Sequence, residues 1–154
     1  CIAFFLLDRG MLLSEPAVAE GISDLVEVGL DPNSEPLTGT PGVSLLLVAA
    51  SNSLDLVVEK LLSCQADVGA AAPDGATCLH IMAHRGSVAG VKLCVHFGAS
   101  LAVTDNHGRL PVDLAAAAGN DRTVRILRAL DLHNAARSGQ LGAIEEAIEL
   151  GVEL

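Results

Sequence analysis

Asp74-Gly75-Ala76-Thr77-Cys78-Leu79-His80-Ile81-Met82-Ala83 is the stretch on which the reading of this chain turns. Gly75 suits a turn position with positive φ. Thr77 is a good helix N-cap, and an apolar helix then runs to Ala83. Gly86 breaks that helix, and Ser87 can cap a second one over residues 88–97. Gly98 ends it as a C′ residue. Leu101-Ala102-Val103 reads as a short extended return, and Thr104-Asp105-Asn106-His107-Gly108 as a polar turn. The unit is helix, turn, helix, projecting hairpin.

The unit recurs. Gly42, Gly75 and Gly108 are spaced 33 residues apart (75 − 42 and 108 − 75). Eleven residues beyond each stand Ser53, Gly86 and Gly119. Ser44 is placed to cap the first helix of the earlier unit, and Pro111 takes the N1 position of the later one, where its missing N–H costs nothing. A fixed period of this length signals a stacked repeat array.

These residues resemble ankyrin repeats. Residues 74–80 are similar to the family's D-G-x-T-P-L-H opening, with Cys78 in place of the usual proline, and residues 92–99 are similar to its closing helix. Gly108, Pro111, Ala115, Ala116 and Gly119 continue the pattern, as do Ser44, Ala49, Ala50 and Gln65-Ala66-Asp67-Val68. The histidine of the motif is replaced by Leu47 and Asp113, which implies less stiff loops in those units. The resemblance implies an all-α solenoid with three clear repeats at 42–74, 75–107 and 108–130. Residues 1–41 are expected to hold a degenerate repeat with a long loop. Residues 131–154 are expected to be a partial repeat or the start of a second array. Gly119 and Gly139 are only 20 residues apart (139 − 119), so a hairpin is missing there, with Asp131 a candidate cap.

Composition narrows the function. The chain has 154 residues, 51% hydrophobic and 2% aromatic, with no Trp or Tyr. Disorder does not fit so apolar a chain. Nine basic against nineteen acidic residues give a net charge of −10, which repels nucleic acid, and base stacking lacks aromatics. The apolar run Cys1–Leu7 falls short of the ~20 residues of a membrane span. The thin Ala/Leu/Val layers of a stacked array account for a core without large rings. The chain reads as a piece of something longer.

Cys1, Cys64, Cys78 and Cys94 have no CxxC spacing and read as reduced thiols, which points to an intracellular, cytoplasmic location. His80 and His84 lie i,i+4 with Cys78 nearby, but His80 matches the structural histidine of the motif and no metal site is expected. No phosphate loop is present and no cofactor or catalytic set is expected. Arg122, Arg125 and Arg128 form a basic stripe, and residues 10–59 carry eight acidic and no basic residues. Glu145, Glu146, Glu149 and Glu153 make an acidic face.

In the family resembled, the concave side of the stack binds other proteins. Carried over by position, the candidate contacts are Thr40, Pro41, Val43, Ser51 and Asn52. The next unit supplies Pro73, Asp74, Ala76, His84 and Arg85, and the third Asn106, His107, Arg109 and Ala117. The expectation is a non-catalytic interaction module. Its rivals are a subunit held in a larger assembly, or the targeting part of a larger enzyme. The tip Gly69-Ala70-Ala71-Ala72 reads as a small apolar contact.

Overall fold

The computed structural model describes residues 15–27, 29, 31–33 and 42–138. Seven helices lie among them: α1 (Glu15–Glu27), α2 (Leu45–Ser51), α3 (Asp55–Ser63), α4 (Cys78–Arg85), α5 (Val88–His96), α6 (Pro111–Ala117) and α7 (Asp121–Ser138). No β-strand occurs in the described residues. A single isolated bridge joins Ala71 to Thr77 across a hairpin.

The helix starts follow local chemistry. Ser44 is extended (φ −75°, ψ 162°), and its hydroxyl accepts the Leu47 N–H. The Ser87 hydroxyl accepts the Gly90 N–H at 3.0 Å. Gly86 ends α4 in the left-handed region at φ 75°, and Pro111 opens α6. Helix α1 lies within residues 1–41, the stretch expected to hold a degenerate repeat, and starts at Glu15.

Stacking buries these short helices on several sides, because neither a seven-residue nor a nine-residue helix is stable alone. Helices α2, α4 and α6 pack side by side as one layer, and α1, α3, α5 and α7 form the other. In α2 the side chains of Leu45, Leu46, Leu47, Ala49 and Ala50 are all buried, an all-round apolar helix held between neighbours. Val57, Val58, Leu61, Leu79, Met82 and Val91 are fully buried between the layers. Small residues set the spacing. A Cβ at Gly90 of α5 would lie 2.5 Å from the Met82 sulfur of α4, so glycine lets the two helices meet.

Two local expectations are corrected. Helix α7 runs unbroken through Asp131 to Ser138, so Asp131 lies inside a helix and caps nothing. Nothing in the sequence breaks it there, since the run from 121 to 138 has neither Gly nor Pro. Leu101 and Ala102 form a turn, where an extended return was expected. Residues 1–14 and 139–154, with the readings made on Cys1–Leu7 and on the glutamates from Glu145 on, lie outside the described residues. So does the long loop 34–41.

Candidate functional site

The hairpins between helices are built by repeated bonds. The Ala72 N–H donates to the Ala76 carbonyl at 2.9 Å, and one unit later Asp105 N–H donates to Arg109 at 3.0 Å. Gly75 and Gly108 turn these loops with φ of 81° and 73°. Successive hairpins then clip together. The Asn106 N–H donates to the Asp74 carbonyl at 2.9 Å, and its side-chain amide donates to the Pro73 carbonyl at 2.9 Å.

His80 is the buried fastener. Its Nδ1 accepts the Thr77 N–H at 3.2 Å, so Nε2 carries the proton and donates to the Arg109 carbonyl at 3.1 Å. At the other end of α4, the Asn120 side chain donates to the His84 carbonyl at 2.7 Å. Where His80 has no counterpart, Asp113 accepts the Leu110 N–H at 2.9 Å and restores a local cap.

These clips align the hairpin tips and the ends of the inner helices around one open groove of about 390 Å³. Ser51, Asp74, Ala76, His84, Arg85 and Arg109 line it, all of them candidate contacts read from the sequence. Its floor holds Ile81 and Leu114, and His80 and Asp105 complete the lining. None of these last four is among the contacts carried over by position, and of them only His80 was given a role, as the structural histidine of the motif. The signal for the floor was present: Val48, Ile81 and Leu114 each stand six residues after the repeat glycine, and each is half-buried.

The groove carries both signs of charge. Arg109 grips Asp105 through Nε at 2.8 Å and a terminal nitrogen at 2.7 Å, and Asp105 also accepts the His107 and Arg109 N–H groups at 2.9 Å. The Arg109 side chain, with these backbone bonds, holds the Asp105 carboxyl down to about 2. With that pair self-neutralised, Arg85 and Asp74 are the rim charges left over. Arg85 donates to the Ser53 hydroxyl at 2.9 Å, which props it across two repeats. Asp74 turns back to accept the Ala76 N–H at 3.1 Å.

The remaining candidates fall outside this groove. Asn52, Pro73, Asn106, His107 and Ala117 are exposed and Val43 is half-buried. Two of them are committed to the fold: the Asn52 amide donates to the Val48 carbonyl at 3.0 Å, and Asn106 clips the hairpins. Thr40 and Pro41 lie outside the described residues. The apolar tip is smaller than expected, because Ala72 packs against the core and Ala70 is half-buried, while Gly69 and Ala71 are exposed.

The arginine stripe is displayed on α7, with Arg122, Arg125 and Arg128 all exposed. Beside Arg128 and Asp131 lies an apolar cleft of about 150 Å³, with Leu101, Leu110, Val112 and Leu127 in its walls. Another hollow, between α1 and α3, is edged by Pro16, Glu20, Leu56 and Lys60. No group of three metal-ligating side chains comes together among the described residues. Both ring nitrogens of His80 are occupied in holding the fold, and the thiols of Cys78 and Cys94 are fully buried. Neither of these cysteines lines the groove.

Stacked helix pairs, hairpins clipped edge to edge and a polar-rimmed groove along the inner layer define a solenoid of the kind that works by surface recognition. The family model for ankyrin repeats, in three copies, matches residues 45–131. The chain belongs to the ankyrin-repeat family, whose repeats bind other proteins. It is 33% identical over 111 residues to the cyclin-dependent kinase 4 inhibitor B of Bos taurus, covering 71% of this chain and 82% of that protein. It is 34% identical over 82 residues to the ADP-ribosylation factor GTPase-activating protein AGD4 of Arabidopsis thaliana, covering 50% of this chain. The chain spans only 10% of that second relative. Among the described residues no helix is long and apolar enough to cross a membrane.

Proposed function

We propose that this chain is a non-catalytic, intracellular scaffold or adaptor module that docks another protein along the groove between the hairpin tips and α4. The observation that carries this reading is the gathering of Ser51, Asp74, Ala76, His84, Arg85 and Arg109 over a half-buried apolar floor. A floor of Ile81 and Leu114 inside a polar rim is the layout of a protein–protein contact centre, where an apolar anchor is desolvated and the rim sets register. The mixed rim, Arg85 against Asp74, suits a polypeptide better than a uniformly charged polymer. One relative is by name an inhibitor of a kinase, which supports action by binding rather than by turnover.

A second reading is favoured by one number. The chain matches 10% of a GTPase-activating protein, so the same groove can serve as the targeting part of a larger enzyme. Both readings place partner contact in the groove. Affinity capture from cell lysate with the wild-type chain and a Ser51→Arg/His84→Glu variant tests them together. Proteins retained by the wild type and lost with the variant support the groove. A capture list that does not change with the variant removes it.

A further inference from the structure

Cys78 begins α4, Cys94 lies in α5, and each is fully buried. Their sulfur atoms are 3.3 Å apart and share a hydrogen bond. A disulfide is ~2.05 Å long, so closing this gap asks for a side-chain movement of about 1 Å. The two helices are adjacent in the stack, and the pair lies away from the groove lining. The binding role described above makes no use of the thiols. We propose that Cys78 and Cys94 are a modification site for a hydroperoxide, which converts them to an intrachain disulfide and clamps α4 to α5.

The chemistry balances with the peroxide as the oxidant. One sulfur attacks a peroxide oxygen and becomes a sulfenic acid, and the O–O bond breaks to release water or an alcohol. The second thiol then attacks that sulfur. The S–S bond forms, the S–O bond breaks, and the hydroxyl leaves as water with the thiol proton. The two cysteines lose two electrons to the peroxide.

Burial decides the timing. The hydrogen bond shared with Cys94 and the loss of water around it keep the Cys78 thiol protonated well above the ordinary cysteine range. A protonated, buried thiol is a poor nucleophile. The first step therefore waits for α4 and α5 to part, and the proximity of the partner sulfur makes the second step fast. Oxidation records a local opening. It then resists the next one, because a cross-link removes conformations from the open state. Helix α4 carries Ile81, His84 and Arg85, so the clamp stiffens one wall of the groove.

The test uses the full chain with Cys1→Ser and Cys64→Ser, which removes the other two cysteines. Hydrogen peroxide is added, remaining thiols are blocked with N-ethylmaleimide, and the chain is cut with trypsin. Arg85 and Lys92 lie between the cysteines, so linkage appears as two peptides joined through sulfur and two hydrogens lighter than their sum. The expected result is that joined peptide from the folded monomer. Its yield per unit time should rise at urea concentrations below the unfolding transition. The oxidised chain should melt ~5–10 °C higher and return to its starting midpoint with dithiothreitol. Recovery of the two peptides separately, blocked or over-oxidised, overturns the proposal. So does a joined peptide that forms only from fully unfolded chain, and a joined peptide with no rise in melting temperature overturns the clamp. Cys78→Ser, with Cys94 left alone, checks that the shift needs both sulfurs.

Discussion

The Nε2 of His80 stands 3.1 Å from the carbonyl oxygen of Arg109, so a buried imidazole in one repeat holds the hairpin that opens the next. The same ring accepts the Thr77 N–H, and the backbone it holds carries the Arg109 side chain into the groove. Removing it leaves the buried Thr77 N–H unpaired, while the Arg109 carbonyl keeps the Asp105 N–H. His80→Ala should cost ~1–3 kcal/mol of stability. Urea unfolding followed by circular dichroism at 222 nm reads this, since the chain has no Trp or Tyr. A loss below about 1 kcal/mol would mean water satisfies the freed Thr77 N–H.

Acid should loosen one hairpin before the rest. Asp105 is lowered from 3.8 in isolation to about 2 in the fold, chiefly by the Arg109 side chain. The folded state thus prefers the ionised form. Its contribution is complete above about pH 4 and is lost as pH falls through the folded value near 2. Stability of the wild type should fall across that window, and Asp105→Asn should flatten this part of the profile. Equal slopes in the two proteins would show that another group carries it.

The repeat glycines are not equivalent. Gly108 and Gly75 both have positive φ, but a Cβ at Gly108 meets nothing within 4 Å, whereas one at Gly75 lies 2.7 Å from the Asn106 backbone nitrogen. Gly108→Ala should cost only the backbone strain, ~1 kcal/mol. Gly75→Ala should cost more than twice that, because the neighbouring hairpin must move and its bonds to Pro73 and Asp74 stretch. Parallel thermal melts of the two variants provide the comparison, and matching midpoints would contradict the clipped-hairpin account.

Leu79 is fully buried at the centre of the two layers, and its truncation leaves a void that short, clipped helices cannot close. Leu79→Ala should cost ~2–5 kcal/mol. Ser51→Arg and His84→Glu, at exposed groove positions, should change stability by less than about 0.5 kcal/mol. Chemical denaturation of the three variants separates core from surface.

Much of this was legible in the sequence because short-range chemistry fixes it. Ser44 and Ser87 cap helices, Gly86 ends α4 in the left-handed region, and Pro111 opens α6. The motif around Asp74 placed His80 between loops. Relations between separate elements were harder to see. The grip of Arg109 on Asp105, the prop from Arg85 to Ser53 and the meeting of Cys78 with Cys94 depend on side-chain directions that periodicity does not encode. The unbroken α7 was missed because a repeat pattern demanded a cap near Asp131, while the local sequence holds no breaker. In the groove, the variable rim was named, but the floor was not. Ile81 and Leu114 lie in apolar helices, and their half-burial at the groove depends on how neighbouring repeats pack.

The central claim is that partners meet the groove and not the outer helices. Affinity capture with quantitative mass spectrometry, run on wild type, Ser51→Arg/His84→Glu and Arg122→Glu/Arg125→Glu, addresses it most directly. Proteins lost with the groove variant and kept with the α7 variant are the expected result. Partners lost only when the α7 arginines are reversed, with the groove variant capturing as the wild type does, would contradict it.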